Sequence, residues 1–76
     1  MNKETFLHKL DEVMSLPTGT IQGDESLGAI KGWDSVALMS FIALLDEELE
    51  IRVTGKQVMQ CQTISELVTL AGDKVS

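Results

Sequence analysis

From Ser35 to Glu50 the chain carries Val36, Leu38, Met39, Phe41, Ile42, Leu44, Leu45 and Leu49. These apolar positions cover more than one stripe of a helix, so the helix they form must be central, with neighbours on several sides. The remainder of a short chain has to supply those neighbours. With 76 residues the natural reading is one domain over residues 1–76, burying roughly 60% of the surface its unfolded chain exposes. The one cysteine, Cys61, rules out an internal disulfide, and no Cys/His cluster is present to hold a structural zinc. Stability must come from helix packing, with aliphatics and Met filling a core whose aromatics are Phe6, Trp33 and Phe41.

Three further elements fit around that helix. Over residues 3–15, Phe6, Leu10, Val13 and Met14 share a helical face, and Lys3, Glu4, Lys9, Asp11 and Glu12 occupy the rest. Pro17 predicts an end near Leu16. Residues 17–33 form a long connection, punctuated by Pro17, Gly19, Gly23, Gly28 and Gly32. Its spaced apolar residues Ile21, Leu27 and Ile30 predict a loop pinned to the core, and structured loops of this length are often functional. Ile51 and Val53 read as an extended tie. Residues 55–60 read as a short helix with Val58 and Met59 inward. Thr63-Ile64-Ser65-Glu66 has the capping-box pattern and opens a last helix with Leu67, Val68, Leu70 and Ala71. The predicted fold is all-α: a four-helix bundle, three helices long and one short, with a long loop between the first two.

Charge narrows the function. Twelve acids against six bases give a net charge of -6, which argues against nucleic acid and anionic membrane surfaces and favours partners with basic patches. No apolar stretch follows Met1-Asn2-Lys3-Glu4 that could be a signal peptide, and no run reaches the length of a membrane span. A cytoplasmic monomer is the expectation.

The chemistry gathers in Gly32-Trp33-Asp34-Ser35-Val36. Asp34 is placed to cap the central helix, and Ser35 sits in its first turn, where free N–H groups and the helix dipole favour a phosphate. A carboxylate beside a phosphorylated serine makes sense if a metal ion bridges them during transfer. At the other end, Asp46, Glu47, Glu48 and Glu50 run against the helix dipole, so these acids point to a use other than helix stability. Spacing alone favours an ordinary helix-start serine at Ser35, and a solvated face is the usual meaning of such a run of acids. A catalytic Ser35 would need a positioned base, and the one histidine, His8, lies in the first helix. No catalytic residue is assigned, and His8 reads as a surface residue.

Asp34-Ser35-Val36 resembles the Asp-Ser-Leu signature of acyl and peptidyl carrier proteins, and GWDSVALMSFIALLDEELEI and TISELVTLAG resemble the family's central and closing helices. The resemblance implies an acyl-carrier-like bundle that catalyses nothing. It implies a 4'-phosphopantetheine arm moved from coenzyme A onto Ser35 by a phosphopantetheinyl transferase. Asp34 would help hold that enzyme's magnesium, and the arm would carry acyl intermediates as thioesters in fatty-acid, polyketide or related biosynthesis. The implied partners are that transferase and the acyl-loading, condensing and acyl-transfer enzymes, with basic docking patches. Val36, Met39, Ala43, Glu47 and Glu48 are the expected partner-binding residues.

Two departures bear on which carrier this is. Val36 replaces the family's leucine, and Ala37 and Ser40 stand where fatty-acid carriers often have acids. With Trp33, these point to a carrier of a specialised pathway with a dedicated partner set. An aminoacyl or peptidyl carrier, and an unmodified helical interaction module, remain as alternative readings. Phe41, Ile42, Leu45 and Leu49 with Phe6, Leu10, Leu67 and Leu70 are candidates to line a cargo slot. Cys61 reads as a half-buried packing residue and Trp33 as a cover for the loop or helix start.

Overall fold

The computed structural model describes residues 1–75, apart from the side chain of Asp73; the last position of the expected 1–76 domain lies outside the described residues. Four α-helices follow in order: α1 (Lys3–Val13), α2 (Ser35–Leu49), α3 (Gly55–Met59) and α4 (Ile64–Ala71). Single 3-10 turns occupy Leu27–Ala29 and Gly72–Lys74. No strand forms among the described residues, and the bundle has the predicted architecture.

The core is where the central helix requires it. Phe6 and Leu10 of α1, Phe41 and Leu45 of α2, Val58 of α3, and Ile64 and Leu67 of α4 are all fully buried. Phe41 stands at the middle, edge-on to Phe6 with ring centroids 6.1 Å apart, in the T-shaped arrangement that aromatic quadrupoles favour. α2 buries Ala37, Phe41, Leu45 and Leu49, and Leu38, Ile42 and Leu44 are half-buried around them. The expected cargo slot is therefore filled by its own side chains. Surface cavities of about 410, 340 and 310 Å³ are lined by none of the eight slot residues.

α1 ends earlier than Pro17 predicts, and for another reason. Ser15 adopts the left-handed region at φ 57°. The Ser15 N–H then donates to Glu12 O at 3.1 Å and the Leu16 N–H to Asp11 O at 2.8 Å, the two bonds of a Schellman motif. Glycine usually marks that position, so a serine there leaves no signal. α2 likewise stops at Leu49, with Glu50 left-handed at φ 56°.

Asp11 departs most from the sequence reading. Placed there among the polar residues of α1, it is fully buried. Its Oδ2 accepts from Gly19 N at 2.8 Å and its Oδ1 from Ile21 N at 2.9 Å. The carboxylate thus takes two main-chain donors of the loop, which offsets the cost of removing it from water. Ile21 and Leu27 follow into the core as predicted, and Ile30 is half-buried. Further along, Leu27 N donates to Gln62 O at 2.9 Å and Ile64 N to Glu25 O at 3.0 Å, forming an antiparallel bridge between Ser26 and Thr63.

The caps sharpen the ends of α3 and α4. Thr54 and Gln57 form a complete capping box, with Gln57 N on Thr54 Oγ1 at 3.1 Å and Thr54 N on Gln57 Oε1 at 2.9 Å. At α4, Thr63 Oγ1 accepts from Glu66 N at 3.2 Å, but the Glu66 carboxylate takes Gln62 N at 3.1 Å, one residue beyond the box. In α3, Val58 is fully buried and Met59 is 74% exposed. The prediction that both face inward fails because consecutive helical side chains diverge by about 100°.

Replacing Asp11 with Asn leaves one acceptor for two donors and sets an amide N–H against a main-chain N–H. Asp11→Asn should lower the unfolding free energy by about 2 kcal/mol, read from urea melts. An unchanged midpoint would show that the loop is held by other means.

Candidate functional site

Three contacts deliver the chain to the start of α2. First, Gly32 lies flat on the end of α1. A Cβ there would sit 2.9 Å from Met14 Cβ and closer still to the Met14 carbonyl oxygen, so the close approach requires glycine. Second, Trp33 is half-buried and edge-on to Phe41, with centroids 6.3 Å apart. This ties the residue before Asp34 to the centre of the core, in keeping with its predicted covering role. Third, Asp34 has extended backbone, and its Oδ1 accepts from Ala37 N at 2.9 Å as the predicted N-cap.

Ser35 is the first residue of α2 and is exposed. Asp34 accepts from Ala37 N at its carboxylate and from Leu38 N at its carbonyl. Among the described residues the N–H groups of Ser35 and Val36, and the Ser35 hydroxyl, have no hydrogen-bond partner. An anion bonded to Ser35 Oγ would meet these donors at the positive end of the helix. The second Asp34 oxygen is likewise without a partner among the described residues. No group of three or more His, Cys, Asp or Glu side chains among them could hold a metal ion. Asp34 therefore belongs to no cluster that could hold a metal by itself. No hydrogen bond joins His8, half-buried on α1, to Ser35.

Val36 is 73% and Met39 65% exposed, and Ala43 is exposed on the same side of α2. Glu47 continues that side. Glu48 faces α1, where its Oε1 is 3.2 Å from Lys9 Nζ, and Asp46 Oδ1 lies 3.8 Å from Arg52 Nε. These exposed pairs contribute little stability, but they give two of the acids partners inside the molecule. The sequence shows no such pairing, because Lys9 and Glu48 lie on different helices. Cys61 is half-buried as predicted. Burial, and then the charge of Glu66, raise its thiol above the ordinary range.

The family model described as the phosphopantetheine attachment site matches residues 4–71. The match spans most of the chain and the whole start of α2, and the chain belongs to that family. It is a carrier that holds covalently attached 4'-phosphopantetheine, catalyses no reaction itself, and works with a phosphopantetheinyl transferase and biosynthetic enzymes. No curated protein and no solved structure matches the chain.

The loop that presents the site has its own acid-sensitive fastening. The Glu25 carboxylate accepts from Gln22 N at 2.8 Å and Gly23 N at 2.9 Å. The Gln22 N–H, with a smaller contribution from Gly23, holds Glu25 below the ordinary glutamate value of 4.5 against an opposing desolvation. A folded value below the unfolded one adds stability that is present above the unfolded value and lost as pH falls through the folded one. Glu25→Gln should therefore flatten the acid limb of the stability profile below about pH 4.5. An acid limb identical to wild type in melts across that range would remove Glu25 from the account.

Proposed function

We propose that residues 1–76 form one acyl carrier domain whose 4'-phosphopantetheine arm is attached to Ser35. The observation that carries this is an exposed hydroxyl, free of hydrogen bonds among the described residues, at a capped helix start inside the family match. In the transfer, Ser35 Oγ loses its proton to a base of the transferase and bonds the pantetheine-bearing phosphorus of coenzyme A. The bond from that phosphorus to the adenosine bisphosphate breaks. Asp34 would offer its uncommitted carboxylate oxygen to a magnesium ion held by the transferase. The N–H groups of Ser35 and Val36 face the new phosphodiester, and the arm's terminal thiol supplies the thioester link for cargo.

The cargo we assign is acyl, on the strength of a net charge of -6 and the acidic end of α2. Trp33, Ala37 and Ser40 support a dedicated pathway over general fatty-acid synthesis. Val36, Met39, Ala43 and Glu47 are proposed as the face met by loading, condensing and acyl-transfer enzymes; Glu48, expected among them, is turned toward α1 and paired with Lys9. Among the described residues no helix is long and apolar enough to cross a membrane; a cytoplasmic monomer is part of this reading.

Incubation with coenzyme A, magnesium and a broad-specificity transferase should add the mass of one phosphopantetheine to the intact protein. Ser35→Ala should add none while keeping the wild-type melting temperature. Addition of the arm to Ser35→Ala would move the attachment elsewhere.

A further inference from the structure

We propose that the cargo chain carried on Ser35 rests outside the helical bundle, in the apolar hollow between the end of α1 and residues 29–31, with Lys31 beside its path. This rests on Ser35 as the attachment point. It moves the cargo from the slot expected among the helices to a site on the loop.

The first observation is that the helices leave no room. Phe6, Leu10, Phe41, Leu45 and Leu67 are fully buried, and Trp33 stands edge-on to Phe41 with centroids 6.3 Å apart. A chain inserted among them would have to push apart side chains that already fill the interior, and overpacking a core is destabilising. Trp33 is two residues before Ser35, so an indole closes the core at the arm's own end of α2.

The second observation is the hollow itself. A cavity of about 310 Å³ lies beside the loop, walled by Leu16, Ile21, Ala29 and Ile30, with Thr20, Glu25 and Lys31 completing its lining. Lys3, Glu4 and His8 line one of the other two cavities and Lys9, Glu12, Glu47 and Glu48 the other, so of the three this one has mainly apolar walls. An apolar chain is driven from water onto such walls in proportion to the area it covers, and a hollow of this size, at the lower end for small-molecule pockets, suits a short acyl chain. Its walls are in place before cargo arrives. Asp11 holds the Ile21 N–H at 2.9 Å, Ala29 N donates to Ser26 O at 3.0 Å, and Trp33 N donates to Ile30 O at 3.2 Å. The Glu25 carboxylate is taken up by the N–H groups of Gln22 and Gly23. A preformed site loses less in ordering when it is filled.

The third observation is reach and charge. Lys31 is four residues before Ser35, so their Cα atoms lie within about 14 Å of each other. The arm, built of pantoyl, β-alanyl and cysteamine units, is about as long as four extended residues. Its thioester end therefore reaches the rim of the hollow. Gly32 rests on Met14, two residues before Leu16, so the chain from Lys31 to Ser35 passes the same end of α1 that walls the hollow. From residue 10 to residue 51 the one cation is Lys31. It is exposed and has no acid within 4.0 Å among the described residues. The phosphodiester on Ser35 carries the arm's negative charge, and Lys31 draws it toward the loop.

The test loads the isotope-labelled full chain from acetyl- or hexanoyl-coenzyme A with a broad-specificity transferase, intact mass confirming one acyl-phosphopantetheine per chain. Between the acetyl and hexanoyl forms, amide NMR shifts should change at Leu16, Ile21, Ala29, Ile30 and Lys31 and stay fixed at Phe41, Leu45 and Leu67. A hollow filled about two-thirds of the time should also slow cleavage of the hexanoyl thioester by hydroxylamine about threefold relative to Ala29→Asp, which sets a charge in the hollow. Ala29 is exposed, so that variant should melt with wild type. Shifts at Phe41, Leu45 or Leu67, with cleavage indifferent to Ala29→Asp, would return the cargo to the helices. Identical shifts in the acetyl and hexanoyl forms would leave it in water. Either result overturns the hollow and leaves Ser35 as the attachment site. Failure of the wild type to take up an acyl-phosphopantetheine would instead overturn the attachment, and the hollow with it.

Discussion

A carboxylate with no access to water fastens the long loop to the first helix. Asp11 takes the main-chain N–H groups of Gly19 and Ile21, and from that point each segment of the loop has a hold of its own. Glu25 closes the turn at Gln22 and Gly23. The main chain at Glu25 and Leu27 bonds to residues at the start of α4. Gly32 rests on Met14, and Trp33 reaches Phe41. A chain of this size has too small a core to order such a long connection by burial alone. Hydrogen bonds from the loop's own backbone supply the difference, and they leave Asp34 and Ser35 at a fixed place on the surface.

The acidic character of the chain divides into separate tasks once the side chains are placed. Asp11 and Glu25 hold the loop, Asp34 caps α2, and Glu66 braces the turn before α4. Asp46 and Glu48 face Arg52 and Lys9. A net charge of -6 therefore overstates the charge available at any one surface. The face of α2 next to Ser35 is neutral, with Val36 and Met39 exposed on it.

What the sequence made legible follows from periodicity and caps. The breadth of the apolar pattern in α2 placed it at the centre, with Phe41 and Leu45 buried. Asp34 was readable as an N-cap because Asp is preferred there. Ile21 and Leu27 were readable as anchors because isolated apolar residues in a polar loop have few other uses. Asp11 was not readable, since its role depends on donors eight and ten residues away and an acid on an amphipathic helix ordinarily faces water. The Schellman turn at Ser15 lacked its usual glycine. Gln57 offered a capping-box signal with Thr54 that could have been found, and it would have firmed the limits of α3. Gly32 looked like one more loop glycine; only its contact with Met14 gives it a specific purpose.

The central claim is that this arrangement exists to present one particular hydroxyl. Trypsin should release residues 32–52 as one peptide, cut after Lys31 and Arg52, and it contains two serines, Ser35 and Ser40. Tandem mass spectrometry of that peptide from the modified protein should place the phosphopantetheine on fragments that contain Ser35 and exclude Ser40. An arm found on Ser40, or on any peptide outside residues 32–52, would contradict the account.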